Sequence, residues 1–445
     1  MEGINTKEDI RRIIAENKIE FINLQFTDLV GTMKNLAVTV EQLDKVLNNE
    51  IMFDGSSVDG FVRIEESDMY LRADLSTFEI YPWTKNTPAV EARLICDTYN
   101  SDGKPFSGCP RNILRRAIEM ASEMGYTMNV GPECEFYLFN TDATGATTLD
   151  TNDKAAYFDL APVDKGEQAR KDMVMTLKQF GFEIEAAHHE CGEGQHEIDF
   201  KYADALTAAD KIMTFKMVVR KVANDHGLHA TFMPKPIFGQ PGSGMHINQS
   251  LFKGGKNAFY DPEGEEGLSE IALQYIAGLM SHVKAITAIT NPTVNSYKRI
   301  VPEYEAPVHI AWSHHNRSPL IRVPSKRGKS TRIEMRSPDP STNPYLALAV
   351  SLVAGLDGIR NKLTPPAPVD ANLYRLTDEQ RNALNIDHLP RTLTESLNAL
   401  KHDSLLLELL GDHASRQYIN ARESEWEAYS IQVSKWELDR YLNTI

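Results

Sequence analysis

Glu133 and Glu135 stand two positions apart in residues 131–139, a short aromatic-rich stretch entered through Gly-Pro. That composition predicts a strand. Side chains alternate along a strand, so both carboxylates share one face while Cys134, Phe136 and Leu138 take the other. Carboxylates held side by side repel unless a cation or a proton lies between them. Taken alone, the pair serves equally well as a solvated strand face. Further stretches add ionisable groups at similar spacing. His188-His189-Glu190 precedes Gln195-His196-Glu197-Ile198-Asp199-Phe200, and residues 242–250 place His246, Asn248 and Ser250 on one face. Arg332-Ile333-Glu334-Met335-Arg336 sets Glu334 between two guanidiniums. Oxygen-rich donors with an occasional imidazole suit Mg2+ or Mn2+. Arginines beside them suit a phosphate or a carboxylate.

Elements must hold these groups. Residues 7–17 carry Ile10, Ile13 and Ile14 at helical spacing. Strands are expected at 21–26, 33–40, 78–81 and 92–98, with Asp54 in an acidic-Gly-Ser loop, which together make a small mixed domain. A helix over 111–124 closes at Gly125, and others are expected near 167–180, 208–226 and 269–290. Lys253-Gly254-Gly255-Lys256 reads as a hairpin turn between strands at 251–252 and 258–260. Residues 291–307 hold three prolines and no periodicity, a length of loop that usually serves function. Residues 345–355 form an apolar run too short to span a bilayer, expected as a buried helix after Asn343-Pro344. Helices are expected at 378–386, 393–410 and 413–430.

The chain has 445 residues, 42% of them hydrophobic and 24% charged, the balance of a soluble globular protein. A net charge of −15 argues against direct nucleic-acid binding. The cysteines Cys96, Cys109, Cys134 and Cys191 form no Cys-x-x-Cys pair. Their low number fits reduced thiols and a cytoplasmic protein, and the first residues lack a signal-peptide pattern.

Ordered motifs cover nearly the whole chain. They are Phe53-Asp54-Gly55-Ser56-Ser57, Gly131-Pro132-Glu133-Cys134-Glu135-Phe136, His188-His189-Glu190, Gln195-His196-Glu197, Lys235-Pro236 and Gly242-Ser243-Gly244-Met245-His246. Asn291-Pro292-Thr293-Val294-Asn295-Ser296-Tyr297-Lys298-Arg299, Asn316-Arg317-Ser318 and Arg332-Ile333-Glu334-Met335-Arg336 complete the series. In these the chain resembles the type I glutamine synthetases, in the shorter form of Gram-positive bacteria. The resemblance implies an α+β protein, with a small N-terminal β-grasp-like domain (residues 1–105) before a large catalytic domain (106–445) built on a curved antiparallel sheet and helices. It implies ATP-dependent ligation of ammonia to glutamate.

By that resemblance Glu135, Glu190 and Glu197 hold one divalent ion, and Glu133, His246 and Glu334 a second, giving at least two Mg2+ or Mn2+ per site. ATP is met by Glu185, Phe200, Tyr202, Asn248, Ser250, Arg317, Arg322, Lys329 and Arg332. Phe200 and Tyr202 are equally suited to a core. Glutamate is met by Pro241, Gly242, Arg299, Glu305, Arg317 and Arg336. Asp54, reaching a neighbouring subunit's site, and Glu305, on a flap, act on the incoming ammonium, with Arg317 beside the transferring phosphoryl group. Arg63 is the expected mediator of feedback by glutamine. The implied assembly is a homo-dodecamer of two hexameric rings, with a nitrogen-regulatory transcription factor as a possible partner and no membrane association.

Some positions depart from the family's pattern. Pro241 stands where Asn is common, so a contact there must use its carbonyl. Glu303 replaces a usual Gly, and Cys134 a usual Pro. Residues 372–376 match the adenylylated segment of the longer form only in part, so no adenylylation is expected. Two rival activities are a γ-glutamyl ligase for another amine and a catalytically dead glutamine-sensing protein.

Overall fold

A computed structural model describes residues 6–58, 60, 68–302, 304, 306–314, 316–371 and 373–445. Arg63, Glu303, Glu305 and Asn372 lie outside them. The first sheet comprises β1 (Ile19–Thr27), β2 (Met33–Thr39), β3 (Ile51–Asp54), β4 (Asp68–Ile80) and β5 (Val90–Asn100), ordered β2-β1-β5-β4-β3. β1 and β5 run parallel and the other neighbours antiparallel, the pattern of a β-grasp. Helix α1 (Lys7–Asn17) starts at a capping box between Thr6 and Asp9. Its Ile10 and Ile14 join Ile22, Leu24, Leu71 and Leu94 in one core, with Val46 and Leu47 from α2 (Leu43–Leu47). Asp54 ends β3 rather than sitting in a loop, and a tight turn over Gly55–Ser57 follows it.

The larger sheet follows α3 (Pro110–Glu123). Its strands and intervening helices are β6 (Thr127–Thr141), β7 (Thr147–Thr151), α4 (Glu167–Gln179), β8 (Ile184–His189), β9 (Gln195–Phe200), β10 (Ala203–Asp204), α5 (Ala205–Asp225), β11 (Leu228–Thr231), β12 (Met245–Lys253) and β13 (Lys256–Asn257). After α6 (Glu270–Thr290) and α7 (Ser296–Arg299) come β14 (His309–Ile310), β15 (Trp312–Ser313), β16 (Ile321–Arg322) and β17 (Ile333–Met335). The remainder is α8 (Pro344–Arg360), α9 (Asp378–Ala383), β18 (Asp387–His388), α10 (Leu393–Lys401), α11 (Ser404–Ser430) and α12 (Lys435–Tyr441). The sheet's spine runs β15-β16-β17-β12-β6-β9-β8, antiparallel except between β15 and β16. Fifteen-residue β6 is its centre, and it also pairs with β7, β10 and β11. The fold is therefore α+β, a β-grasp unit before a large, mostly antiparallel sheet backed by helices.

Local chemistry adjusts several expected boundaries. Asp204 caps Thr207 N–H, so α5 begins three residues before the apolar pattern suggests. The Gly254-Gly255 turn forms with both residues at positive φ, but the return strand is Lys256–Asn257 rather than 258–260. The helix expected over 393–410 breaks before Ser404, because Asp403 caps Leu406 N–H and starts α11. The aperiodic 291–307 stretch contains α7. α12 was not anticipated. Among the described residues no helix is long and apolar enough to cross a membrane.

Helices α6 and α8 cross at van der Waals distance through glycine. A Cβ on Gly358 would lie 2.0 Å from the Gln274 carbonyl oxygen, and one on Gly278 2.1 Å from that of Ala354. Backbone cannot yield as a side chain can, so Gly358→Ala should force the helices apart. The expected loss is about 1–3 kcal/mol of unfolding free energy in a urea titration.

His282 on α6 ties the helices together electrostatically. Its Nδ1 lies 2.6 Å from Asp403 and its Nε2 3.3 Å from Asp357. Carboxylates only accept, so both nitrogens donate and the ring is cationic. The Asp403 hydrogen bond, against partial desolvation, raises the imidazole above its ordinary pKa of 6.5. A raised folded pKa means the stabilisation is complete below the unfolded value and lost as pH rises through the folded one. His282→Gln should thus cost about 1–2 kcal/mol near pH 6 and much less near pH 9, as read by urea unfolding at both pH values.

Candidate functional site

Strand register brings the chemistry-bearing residues onto one face. His246 of β12 lies directly opposite Glu133 of β6, and Asn248 opposite Glu334 of β17, which in turn faces Arg322 of β16. On the other side of β6, Glu135 faces Glu197 of β9, and Glu197 faces His188 of β8. A row of carboxylates and imidazoles thus crosses five strands, with Arg322 of β16 at its end, as the two-residue spacings require.

His246 Nδ1 lies 3.2 Å from Glu133 and 3.9 Å from Glu334. Burial and the nearby Arg336 charge lower the imidazole's pKa, which leaves it neutral and able to ligate. Burial would raise Glu133, but hydrogen bonds from His246 and Asn248 and the charge of Arg336 hold it at about 2. Glu135 is pushed up to about 7 by burial, against Arg299 and the Gly244 N–H. Glu197 is pushed to about 12 by burial and by the charges of Glu135 and Asp199. The protein's own groups therefore do not neutralise this face, which is the condition a divalent cation relieves.

Ligand atoms of Glu133, His246 and Glu334 lie within 4.8 Å of one another, as do those of His188, Glu197 and Asp199. These groupings can bind a divalent metal. Glu135, Glu190 and Glu197 do not form such a group among the described residues. Glu135 Oε2 accepts from Gln195 Nε2 at 3.0 Å and from Gly244 N–H at 2.8 Å. Glu190 accepts from Cys191 N–H and lies 3.5 Å from His188.

Glu334 does stand between two guanidiniums, but they belong to Arg322 and Arg336. Arg332, two residues earlier and outside β17, instead donates to Asn248 Oδ1 at 2.9 Å. Asn248 in turn donates to Glu133 at 2.9 Å. Arg299 is buried and donates to the carbonyls of Ser337 and Arg336. Arg317 is exposed, with no hydrogen bond or ion pair among the described residues. Asp54 is also exposed, its Oδ1 accepting from the Ser56 N–H and hydroxyl, which lower its pKa.

A cavity of about 420 Å3 opens beside this row. Glu185, Phe200, Tyr202, Asn248, Ser250, Lys329 and Arg332 all line it, with Glu133 at its inner wall. Phe200 does two jobs, lining the cavity while its ring packs 5.0 Å from Phe182 in the core. Next to the row, Gly242 and Gly244 leave room where a side chain would strike Arg299. Pro241 makes its contact through its carbonyl, which accepts from the Tyr137 hydroxyl at 2.6 Å.

Gln195, Asp199 and Lys326 were given no role by sequence reasoning. Asp199 had a legible signal, two residues from Glu197 on the same strand face. Lys326 lies outside every element and gave none. His189 and His196 sit behind the sheet with Asp153 and Asp164, in another group of ligand-like atoms. Arg170 pairs with Asp164 and donates to His196, so a cation already occupies that cluster.

A sheet face of carboxylates and imidazoles, bordered by arginines and a nucleotide-sized cavity, defines a metal-assisted phosphoryl-transfer enzyme. Family models for the glutamine synthetase β-grasp domain and catalytic domain match residues 18–101 and 107–441. The chain belongs to the glutamine synthetase family. It is 60% identical to the glutamine synthetase of Clostridium saccharobutylicum over 98% of this chain and 99% of that one. It is 57% identical to that of Staphylococcus aureus strain Mu50, covering 98% of each. Among solved structures, a GmaS/ADP complex superposes with a TM-score of 0.88 at 31% identity, over 97% of this chain and 99% of that one. The cryoEM structure of Plasmodium falciparum glutamine synthetase gives 0.87 at 26% identity, over 99% and 100%.

Proposed function

We propose that this glutamate–ammonia ligase makes glutamine, ADP and phosphate through γ-glutamyl phosphate, with the residues divided as follows. A carboxylate is a poor acyl donor because oxide would have to leave. Transfer of the γ-phosphoryl group of ATP to the glutamate side chain supplies phosphate as leaving group. Ammonia then adds to the acyl carbon, loses a proton and expels phosphate. Divalent ions, Mg2+ or Mn2+ and at least two per site, supply neutralisation of the phosphate charge. Glu133, His246 and Glu334 would hold one, and Glu135, Glu190 and Glu197 another. The observation that carries the reading is the carboxylate–imidazole row alongside the cavity.

ATP lies in that cavity against Glu185, Phe200, Tyr202, Asn248, Ser250, Lys329 and Arg332, with its phosphates toward Glu133. Arg317 and Arg322 meet the transferring group. Glutamate lies over Pro241 and Gly242, with its charges met by Arg299, Arg317 and Arg336. Asp54 from a neighbouring subunit orients ammonium and takes its proton, and Glu305 shields the acyl phosphate from water. Arg63 mediates feedback by glutamine. The assembly is a dodecamer of two hexameric rings in the cytoplasm, open to a nitrogen-regulatory transcription factor.

The test is phosphate release from ATP. It should require glutamate and ammonium together. Release with a larger amine in place of ammonium would favour a different γ-glutamyl ligase, and no release at all a sensing protein.

A further inference from the structure

We propose that Lys235 is a positioning residue that fixes the loop over residues 240–244 to the segment after α6, through a cation–π contact with Tyr304. The Lys235 ammonium lies 3.7 Å from the centre of the Tyr304 ring and donates to the Gln240 carbonyl. Its main chain is clasped on both sides by one side chain. Lys235 N–H donates to Asn295 Oδ1 at 2.8 Å, and Asn295 Nδ2 returns a bond to the Lys235 carbonyl at 3.0 Å. One residue earlier, the Pro234 carbonyl accepts from Ser243 N–H at 2.8 Å and would lie 2.6 Å from a Cβ on Gly242. The loop that Lys235 holds then reaches the reacting face. Gly242 and Gly244 border Arg299, Gly244 N–H binds Glu135, and the Gly242 carbonyl accepts from Gln195.

The charge itself is the argument. Lys235 is only 8% exposed and forms no ion pair among the described residues. Burying an ammonium is unfavourable unless something compensates it. A spacer in this position needs only the aliphatic stem, which methionine would supply without desolvating a charge. Among the described residues, a carbonyl and an aromatic face are what this ammonium has instead, and an aromatic face attracts a desolvated cation strongly. Lys235 thereby joins three separate parts of the chain at the wall assigned to glutamate, away from the cavity assigned to ATP. The inference rests on that assignment of the glutamate side.

The experiment measures KM for glutamate and for ATP in the full-length enzyme, with phosphate release requiring ammonium. Lys235→Met should raise KM for glutamate roughly tenfold while KM for ATP stays within about twofold. Lys235→Arg, which keeps a cation, should recover most of the loss. Tyr304→Leu, which leaves the bond to the Gln240 carbonyl, should raise KM for glutamate in the same direction but less than Lys235→Met, and Tyr304→Phe should resemble the parent. The double variant Lys235→Met/Tyr304→Leu should be no worse than Lys235→Met alone, since the ring contact is already lost with the ammonium. If Lys235→Met does not fold, the Tyr304 pair still decides the matter. Unchanged glutamate KM in Tyr304→Leu, equal shifts in both KM values, or additive effects would overturn the proposal. A parent enzyme with no glutamate-dependent release would overturn the activity reading and this inference with it. A normal parent with unaffected variants would overturn the role of Lys235 alone.

Discussion

Glu334→Gln should lower glutamine formation on the order of 10²–10³-fold while the chain still folds. The glutamate is 1% exposed, and its two oxygens are divided between Arg322 and Arg336, with His246 Nδ1 3.9 Å away. Gln keeps the volume and removes the anion. Two effects follow from that one loss. The group of Glu133, His246 and Glu334 keeps a single carboxylate, so its affinity for a divalent ion falls. Arg322 and Arg336 also lose the counter-charge that orients them toward a substrate phosphate or carboxylate. Some stability is lost as well, because two poorly exposed guanidiniums are left short of an acceptor. Mn2+ titration followed by paramagnetic relaxation of water, beside circular dichroism and rate measurements, separates these effects. A folded variant with parental Mn2+ binding and a parental rate would remove Glu334 from the metal site.

The face that carries Glu133, Glu135 and Glu197 was legible because a strand's period fixes it, whatever the strand pairs with. The partner of each residue was not legible, since register is a tertiary property. Arg332 shows the difference. It stands two residues from Glu334 in sequence, yet it donates to Asn248 of β12 while Arg322 arrives from β16. Glycines announce a turn, as at Gly254-Gly255, but give no hint of a helix crossing such as Gly278 and Gly358. His189 and His196 lie beside the carboxylates in sequence and on the opposite face in space, where Asp153 and Arg170 take them up. Helix starts were misplaced where a side-chain cap decided them, as Asp204 and Asp403 do. The β-grasp and catalytic units were legible through the family's motifs rather than through periodicity. The two-residue strands β14 to β16 are too short to show any period, whereas β17 lies in the stretch whose alternation of charged and apolar residues was legible.

Mixing two inactive chains, Asp54→Ala and Arg336→Ala, should restore activity. Asp54 is exposed at the end of β3 and is held ready by Ser56, whose N–H and hydroxyl both bind its Oδ1. Those bonds favour the ionised form, and among the described residues the other oxygen has no hydrogen bond, so it can meet a cation from outside its own chain. Arg336, by contrast, is buried on the large sheet against Glu334. Each single variant is expected to lose most turnover, for different reasons: one loses the group proposed to orient ammonium, the other a charge proposed to meet glutamate and the phosphoryl group. In a mixed ring, an Asp54→Ala chain contributes an intact Arg336 and its Arg336→Ala neighbour an intact Asp54. Random assembly from equal amounts would make roughly a quarter of the subunit boundaries whole. Recovered activity near that fraction of the parental value is the expected result, provided the rings are first dissociated and subunit exchange is verified by mass-tagged chains. Verified exchange with no recovery would mean that each site is completed within one chain, and Asp54 would then lose its proposed role across the boundary.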